Sequence, residues 1–291
     1  MRTPMPELSK TAPETISEAY YSLTAVEKRC ADYVLAHQQE AQFLSITELA
    51  EVSNVAEATV SRFCRRLGYR GYNAFKLALA NAAAQLGAWG NPLSGEVTKE
   101  DSLEDVCRKL QAVDTAAISQ TLEMIRPDQM RKAAKMLRGA KRVLCMGQGG
   151  SMLIAEEAAH LFSTVGGKYQ AVRDSHMQAI ATVNADPEDV ILYFSYSGST
   201  VDMMHTLGIA RKNGAGVVLI TRFPKSPGAE LADAVLQCGA DESPLQLGSV
   251  AAKIAQMYLL DVLFSEVCRE DLENARRSRQ RIADALSEKH L

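Results

Sequence analysis

The stretch Val190-Ile-Leu-Tyr-Phe-Ser-Tyr-Ser-Gly-Ser-Thr-Val201 decides the fold, because it joins a buried strand to a hydroxyl-rich turn and then to a helix start. Five consecutive apolar residues, Val190 to Phe194, suit a strand covered on both faces, as in a parallel sheet packed between helices. The strand stops abruptly. Ser195, Ser197, Ser199 and Thr200 surround Gly198, placing hydroxyls and backbone N–H groups where the next helix begins. The first N–H groups of a helix lack partners and its dipole is positive there, so this turn has the chemistry of an anion site. A phosphate fits it.

The chain on either side repeats the theme. Helical spacing at Leu103, Val106, Leu110 and Val113, and again through Met130, Ala134 and Leu137, precedes a strand from Arg142 to Met146. A glycine turn, a helix to Val165, a strand from Tyr169 to Val172 and a helix from Ser175 follow. After the focal strand come a helix from Val201 to Lys212 and strands at Gly216 to Thr221 and Ala234 to Cys238. This alternation predicts an α/β sandwich with a mainly parallel sheet. Ser249 to Cys268 reads as a long apolar helix, and the charged tail from Glu270 to Leu291 as another.

Gly147-Gln-Gly149-Gly150-Ser151 follows the first of these strands and opens a helix, where phosphate-cradling loops sit. It is not the dinucleotide fingerprint: the third glycine of G-x-G-x-x-G would fall at Met152, and Asp174 comes too late for the ribose-binding acid. Nor is it a P-loop, since Gly-Lys-Ser/Thr is missing. Alone, such a turn is more often only a tight connection. Paired with the Ser195 to Thr200 turn it gains meaning, because ligands in open parallel sheets bind beyond the carboxyl ends of the strands.

The N-terminal part is helical. Thr24 with Glu27, and Ser45 with Glu48, form capping boxes, and Leu44 and Leu49 are spaced as a hydrophobic staple. Val60, Phe63, Cys64 and Leu67 share one face of a third helix, a few residues after the second ends near Val52-Ser53-Asn54. Two helices joined so tightly predict a helix-turn-helix. At about 100° per residue, Thr59, Ser61, Arg62, Arg65 and Arg66 fall on the opposite arc. From Ala58 to Leu86 the basic residues Arg62, Arg65, Arg66, Arg70 and Lys76 meet no acidic one. Arginines reaching phosphates and base edges from a helix in the major groove would explain this face, and so would simple solvation.

Between Leu86 and Leu103 the pattern dissolves into Gly, Asn-Pro, Ser-Gly and charged residues, as in linkers. The expected organisation is a helix-turn-helix domain over 12–86, a linker over 87–102, an α/β domain over 103–269 and a C-terminal helix over 270–291. A length of 291 residues accommodates two cores, and 47% apolar with 23% charged residues is ordinary for a soluble globular protein. Apolar runs fall far short of the roughly 20 residues of a membrane span, and the Pro- and Glu-bearing first twenty residues do not suit a signal peptide. The expectation is a cytoplasmic protein with no membrane contact. Six scattered cysteines without a C-x-x-C pair point away from a zinc or redox site, and a net charge of −3 confines any basic surface to a local patch.

Gly147-x-Gly149-x-Ser151 and Ser195-x-Ser197-Gly198-x-Thr200 together resemble the sugar isomerase (SIS) domain, which binds phosphosugars. Leu23-Thr-x-x-Glu27, Glu48-Leu-Ala and Ala58-Thr-Val-Ser-Arg-Phe-Cys-Arg-Arg-Leu-Gly-Tyr69 resemble the N-terminal domain of the RpiR family of bacterial transcription regulators. The two in this order are that family's architecture and cover nearly the whole chain. The resemblance implies double-stranded operator DNA as a partner of Thr59, Ser61, Arg62, Arg65, Arg66 and Arg70, and a phosphosugar effector. It implies that Ser195, Ser197, Gly198 and Thr200 hold the phosphate, with Gly147, Gly149 and Ser151 contributing from the first turn and Ser249 facing the same pocket. The competing role of such hydroxyls is helix capping, to which Ser199 is assigned. One departure stands before the recognition helix, where the family usually places a capping Ser and this chain has Ala56, with Asn54 as a candidate replacement.

An isomerase would need more than a phosphate clamp, since a base must move a proton between adjacent carbons. Glu156, Glu157, His160, His176 and His205 are the candidates, and no matched acid and base pair emerges from them. His176, at a helix start after the second strand, is instead assigned to the pocket wall. The expectation is therefore a regulator without catalytic residues, cofactor or metal, acting as a homodimer or dimer of dimers. The rival is a phosphosugar isomerase or related enzyme with a helical appendage.

Overall fold

The computed structural model describes residues 11–85, 97–240 and 249–287, so Leu86 and most of the linker expected over 87–102 lie outside the described residues. The chain divides into two compact units, with the division between Lys109 and Leu110.

The first unit is built from α1 (Ala12–Ala19), α2 (Ala25–Ala36), the single turn α3 (Gln38–Ala41), α4 (Ile46–Val52), α5 (Glu57–Arg66) and α6 (Tyr72–Gln85). Three of its helices start on capping boxes: Thr11 with Glu14, Thr24 with Glu27, and Ser45 with Glu48. Each satisfies N–H groups that would otherwise be orphaned. Ile16, Cys30, Val34, Leu49, Val60, Phe63, Cys64 and Phe75 close the core, and Phe63 meets Phe75 edge-on at 5.5 Å. Asn54 makes the turn between α4 and α5 with a φ of +52°, a left-handed conformation that Asn tolerates better than most side chains.

α7 (Leu103–Met124) spans the division and leads to α8 (Pro127–Gly139). The second unit then alternates β1 (Arg142–Gly147), α9 (Gly150–Ser163), β2 (Tyr169–Ala171), α10 (Ser175–Val183), β3 (Asp189–Phe194), α11 (Val201–Asn213), β4 (Gly216–Thr221) and β5 (Ala234–Gln237). It ends with α12 (Val250–Arg269) and α13 (Leu272–Ser287). All strands pair in parallel, in the order β2-β1-β3-β4-β5.

The focal strand explains why the sheet is covered on both sides. Val190, Leu192 and Phe194 point into a core shared with α8, α9 and α12, whereas Ile191 and Tyr193 point into one shared with α11. Side chains alternate across a strand, so an unbroken apolar run is what two covered faces require. Burying each large side chain contributes about 1.5–3 kcal/mol. The long apolar helix α12 covers the sheet with Ala255, Leu259, Leu263 and Phe264. At the strand's entry Asp189 is fully buried and binds the Arg142 guanidinium through both carboxylate oxygens. These bonds from Arg142, against burial, hold the Asp189 carboxyl below the usual range. No helix among the described residues is long and apolar enough to cross a membrane.

Candidate functional site

Two adjacent turns dominate the carboxyl edge of the sheet. β1 and β3 are neighbours whose last paired residues are Gly147 and Phe194, so the loops leaving them start level. The strand order runs outward in opposite directions from this pair, the switch point at which doubly wound sheets bind ligands.

Glycine is demanded at both turns. A Cβ on Gly147 would lie 2.7 Å from the carbonyl oxygen of Ser151, a backbone atom of the first turn of α9. Gly149, the N-cap of α9, has φ +53° and ψ −125° and no side chain caps that helix. The Ser151 and Met152 N–H groups donate back to the carbonyls of Gln148 and Gly149 at 3.0 and 3.1 Å, leaving the half-buried Ser151 side chain at the helix entrance.

In the second turn the buried Ser195 donates its N–H to Ile220 O at 3.0 Å, and its Oγ accepts the Gly198 N–H at 3.2 Å. Ser197 Oγ accepts the Ser199 N–H at 3.4 Å. Gly198 has a φ of +59° and backs onto Ser226, whose Oγ would lie 2.0 Å from an added Cβ. The end of β4 and the segment after it strap the turn: Thr221 Oγ1 and the Arg222 N–H both donate to Tyr196 O at 3.0 Å, and the Gly228 N–H donates to Gly198 O at 2.9 Å.

The capping roles differ from the sequence expectation. Ser199 does not cap α11. The N-cap residue is the exposed Thr200, and its hydroxyl makes no capping bond. Ser249 is the true cap, since its buried Oγ accepts the Ala252 N–H at 3.1 Å. Its Oγ is an acceptor there, as are those of Ser195 and Ser197 in their turn, and a hydroxyl that accepts is still a donor, whereas Thr200 makes no capping bond. His176 is exposed in the first turn of α10, and that helix is bonded to the first turn through Gln178, whose Nε2 donates to Gly147 O at 3.0 Å. Gln148, Gln178, Thr221 and Ser226 were not picked out by sequence reasoning. The alternative catalytic candidates are scattered: Glu156 pairs with Arg173, His160 lies 3.7 Å from Glu157 on an exposed face, and His205 is exposed on α11. Among the described residues no group of three or more His, Cys, Asp or Glu is placed to hold a metal.

The cationic helix of the first unit also divides its residues. Arg62, Arg65 and Arg70 are exposed and Ser61 is half-buried. Thr59, which the spacing assigns to the polar arc, is buried and accepts a bond from Arg62 Nη2 at 3.2 Å. Arg66 is also exposed, but its guanidinium is paired. Its Nη1 lies 2.7 Å from Glu27 Oε2 and 3.2 Å from Ser22 O, so it fastens α5 to α2. Burial pushes the Glu27 carboxyl up, but bonds from Thr24 and the charge and bond of Arg66 outweigh it and hold the group below its ordinary range. Ala56 is the N-cap of α5, with no side-chain cap. Asn54 does not replace the missing serine; its conformation serves the turn.

Residues 11–86 match the model of the helix-turn-helix domain of the rpiR family, and residues 136–266 match that of the SIS domain. The uncharacterized HTH-type transcriptional regulator YfhH of Escherichia coli is 33% identical, over 94% of this chain and 97% of that protein. The chain belongs to the RpiR family of transcriptional regulators. The Escherichia coli HTH-type transcriptional regulator RpiR itself is 28% identical over 87% of this chain and 84% of that protein. Among solved structures, the NanR protein of Vibrio vulnificus, complexed with ManNAc-6P, aligns with a TM-score of 0.85 at 26% identity, over 96% of this chain and 99% of that one. As a member of this family the protein is a transcriptional regulator, and its helical domain followed by a parallel α/β sheet is the expected architecture.

Proposed function

We propose that this regulator binds a phosphosugar across the Gly147–Ser151 and Ser195–Thr200 turns and that occupancy changes its affinity for operator DNA. The observation that carries the reading is the pair of level, hydroxyl-bearing turns at the switch point of the sheet, with the Thr200 hydroxyl making no capping bond. Ser195, Ser197, Gly198 and Thr200 hold the phosphate, with Gly147, Gly149 and Ser151 completing the cradle and His176 at its wall. Neutral donors and backbone N–H groups suffice for a dianion. Ser249, whose Oγ accepts a capping bond and whose O–H is a donor, faces the same pocket from the start of α12. A phosphosugar is favoured as the ligand because NanR, similar over nearly its whole length, is described in complex with one.

Ser61, Arg62, Arg65 and Arg70 contact DNA, whereas Thr59 and Arg66 maintain the helix's shape. Two copies place paired recognition helices on half-sites about one DNA turn apart. Effector bound more tightly by one of two states shifts the population between them, and with it the operator affinity. The protein works in the cytoplasm and is not an enzyme; the engagement of Glu156 by Arg173 and the exposed positions of His160 and His205 support that reading.

The test combines a thermal-shift panel of phosphosugars with DNA binding measured against salt. A true effector raises the melting temperature with its occupancy. Arg62→Ala/Arg65→Ala should lower the slope of log affinity against log salt by about 2, near 0.9 for each lost phosphate contact. Arg66→Ala should leave the slope unchanged. An unaltered slope in the double variant refutes the DNA-binding assignment, and turnover of a phosphosugar at catalytic protein concentration refutes the regulator-only reading.

A further inference from the structure

A hydrogen-bonded relay runs from α10 to the first turn, and phosphate binding gives it no role. Gln178 is fully buried, yet its amide is saturated. Nε2 donates to Gly147 O at 3.0 Å and Val172 O at 2.9 Å. Oε1 accepts Gln148 Nε2 at 2.9 Å and the Tyr193 hydroxyl at 3.3 Å. Two carbonyls can only accept, so the amide of Gln178 has one possible orientation, with Nε2 toward them and Oε1 toward Gln148. Gln148 must therefore turn its own Nε2 inward, where it also lies 3.4 Å from the Tyr193 hydroxyl. Its Oε1 has no hydrogen-bond partner among the described residues. Gln148 is half-buried and stands between the two glycines of the first turn.

We propose that Gln148 reads the sugar, its Oε1 accepting a bond from a sugar hydroxyl, and that Gln178 is the positioning residue that fixes this orientation. The proposal rests on the phosphosugar reading of the two turns and names the group that separates a sugar phosphate from a bare phosphate. The phosphate is held chiefly by the second turn and shared with the backbone and Ser151 of the first, so the sugar passes beside the first turn, where an acceptor matches a hydroxyl. A buried amide is costly unless every bond is made, so all four bonds to Gln178 constrain Gln148.

The experiment titrates the full chain with ManNAc-6P, glucose 6-phosphate and inorganic phosphate, for wild type, Gln148→Met, Gln178→Met and the double variant. The expected result is a loss of about tenfold in affinity for the better sugar phosphate in each single variant, with inorganic phosphate changed by less than about twofold. The double variant should be no weaker than the singles, because Gln178 acts through Gln148. Equal loss for sugar phosphate and inorganic phosphate, no loss, or additive losses would overturn the proposal. If Gln178→Met does not fold, Gln148→Met at its half-buried site decides the matter through the same affinity ratio. Wild type that binds none of the three probes overturns the phosphosugar reading and the proposal together. Wild type that binds, with variants keeping its affinity ratio, overturns the proposal alone.

Discussion

Replacing Gly198 by alanine tests the geometry of the second turn directly. The residue has φ +59°, where an L side chain is disfavoured by about 1–2 kcal/mol. The reduced freedom of the unfolded chain returns about 0.4–1 kcal/mol. The larger effect is packing. The new Cβ would lie 2.0 Å from Ser226 Oγ, 2.6 Å from Ser226 Cβ and 3.0 Å from Thr221 Oγ1. Ser226 is fully buried and has little room to retreat, so overpacking adds about 1–3 kcal/mol. The net destabilisation is about 2–4 kcal/mol, a fall on the order of 10 °C in the melting of a unit this size. Second-site changes identify the cause. Ser226→Ala removes the 2.0 Å contact but keeps the 2.6 Å one, whereas Ser226→Gly removes both. Melting temperature should therefore rise in the order Gly198→Ala, then with Ser226→Ala, then with Ser226→Gly, the last still about 1–2 kcal/mol short of wild type for the remaining positive-φ strain, the 3.0 Å Thr221 contact and the extra glycine. A Gly198→Ala protein melting within about 1 °C of wild type, or no recovery from Ser226→Gly, would refute the described contact.

Thr200→Ala should change stability by less than about 0.5 kcal/mol while removing the effector-induced thermal shift, whereas Ser249→Ala should cost about 1 kcal/mol as a lost cap; the reverse pattern would exchange their roles. Ala56→Ser places a capping hydroxyl on a residue already at φ −79° and ψ 150° and should stabilise the first unit by about 1 kcal/mol in denaturant titration. Asp189→Asn should cost about 2 kcal/mol at neutral pH, less than a fully buried pair because Arg142 is 39% exposed. The folded carboxyl is held below its unfolded value, so its contribution is complete above about pH 4 and is lost as pH falls through the folded pKa. The stability gap between wild type and Asp189→Asn should close on acidification, and a gap constant from pH 7 to pH 2 would sink the assignment.

The fold was legible because its signals are local and redundant. The run Val190 to Phe194 could only be a strand covered on both faces, and β1, β3, β4 and α11 fall within a residue or so of where the pattern put them. The capping boxes at Thr24 and Ser45 are present as spaced. The arginines of α5 were less legible. Spacing places Arg62, Arg65 and Arg66 on one arc, but only the fold brings Glu27 from α2 beneath Arg66. A helix's own periodicity carries no information about which of its charges a neighbouring helix will claim, and Thr59, at the margin of the polar arc, is buried.

The site was half legible, and the missing half lies in α10. Hydroxyls and glycines announce a turn wherever they cluster, but Ser199, Thr200 and Ser249 are equivalent in sequence until the helix starts are known. Gln178 left a different kind of signal. On α10 the buried positions include Gln178 and Thr182, four residues apart, while Met177, Ile180 and Val183 are each more than half exposed. The helix is amphipathic the wrong way round for one packed by hydrophobic burial alone. Its inner face is held by the bonds of Gln178 to Gly147, Gln148, Val172 and Tyr193, while Thr182 O accepts from Asn213 Nδ2 of α11 at 3.0 Å. Such bonds are directional where apolar contact is not, so α10 has one registered position on the sheet rather than a range of sliding ones. Polar residues at helical spacing on the inner face, with apolar ones displaced outward, are thus a legible mark of a helix registered to a site.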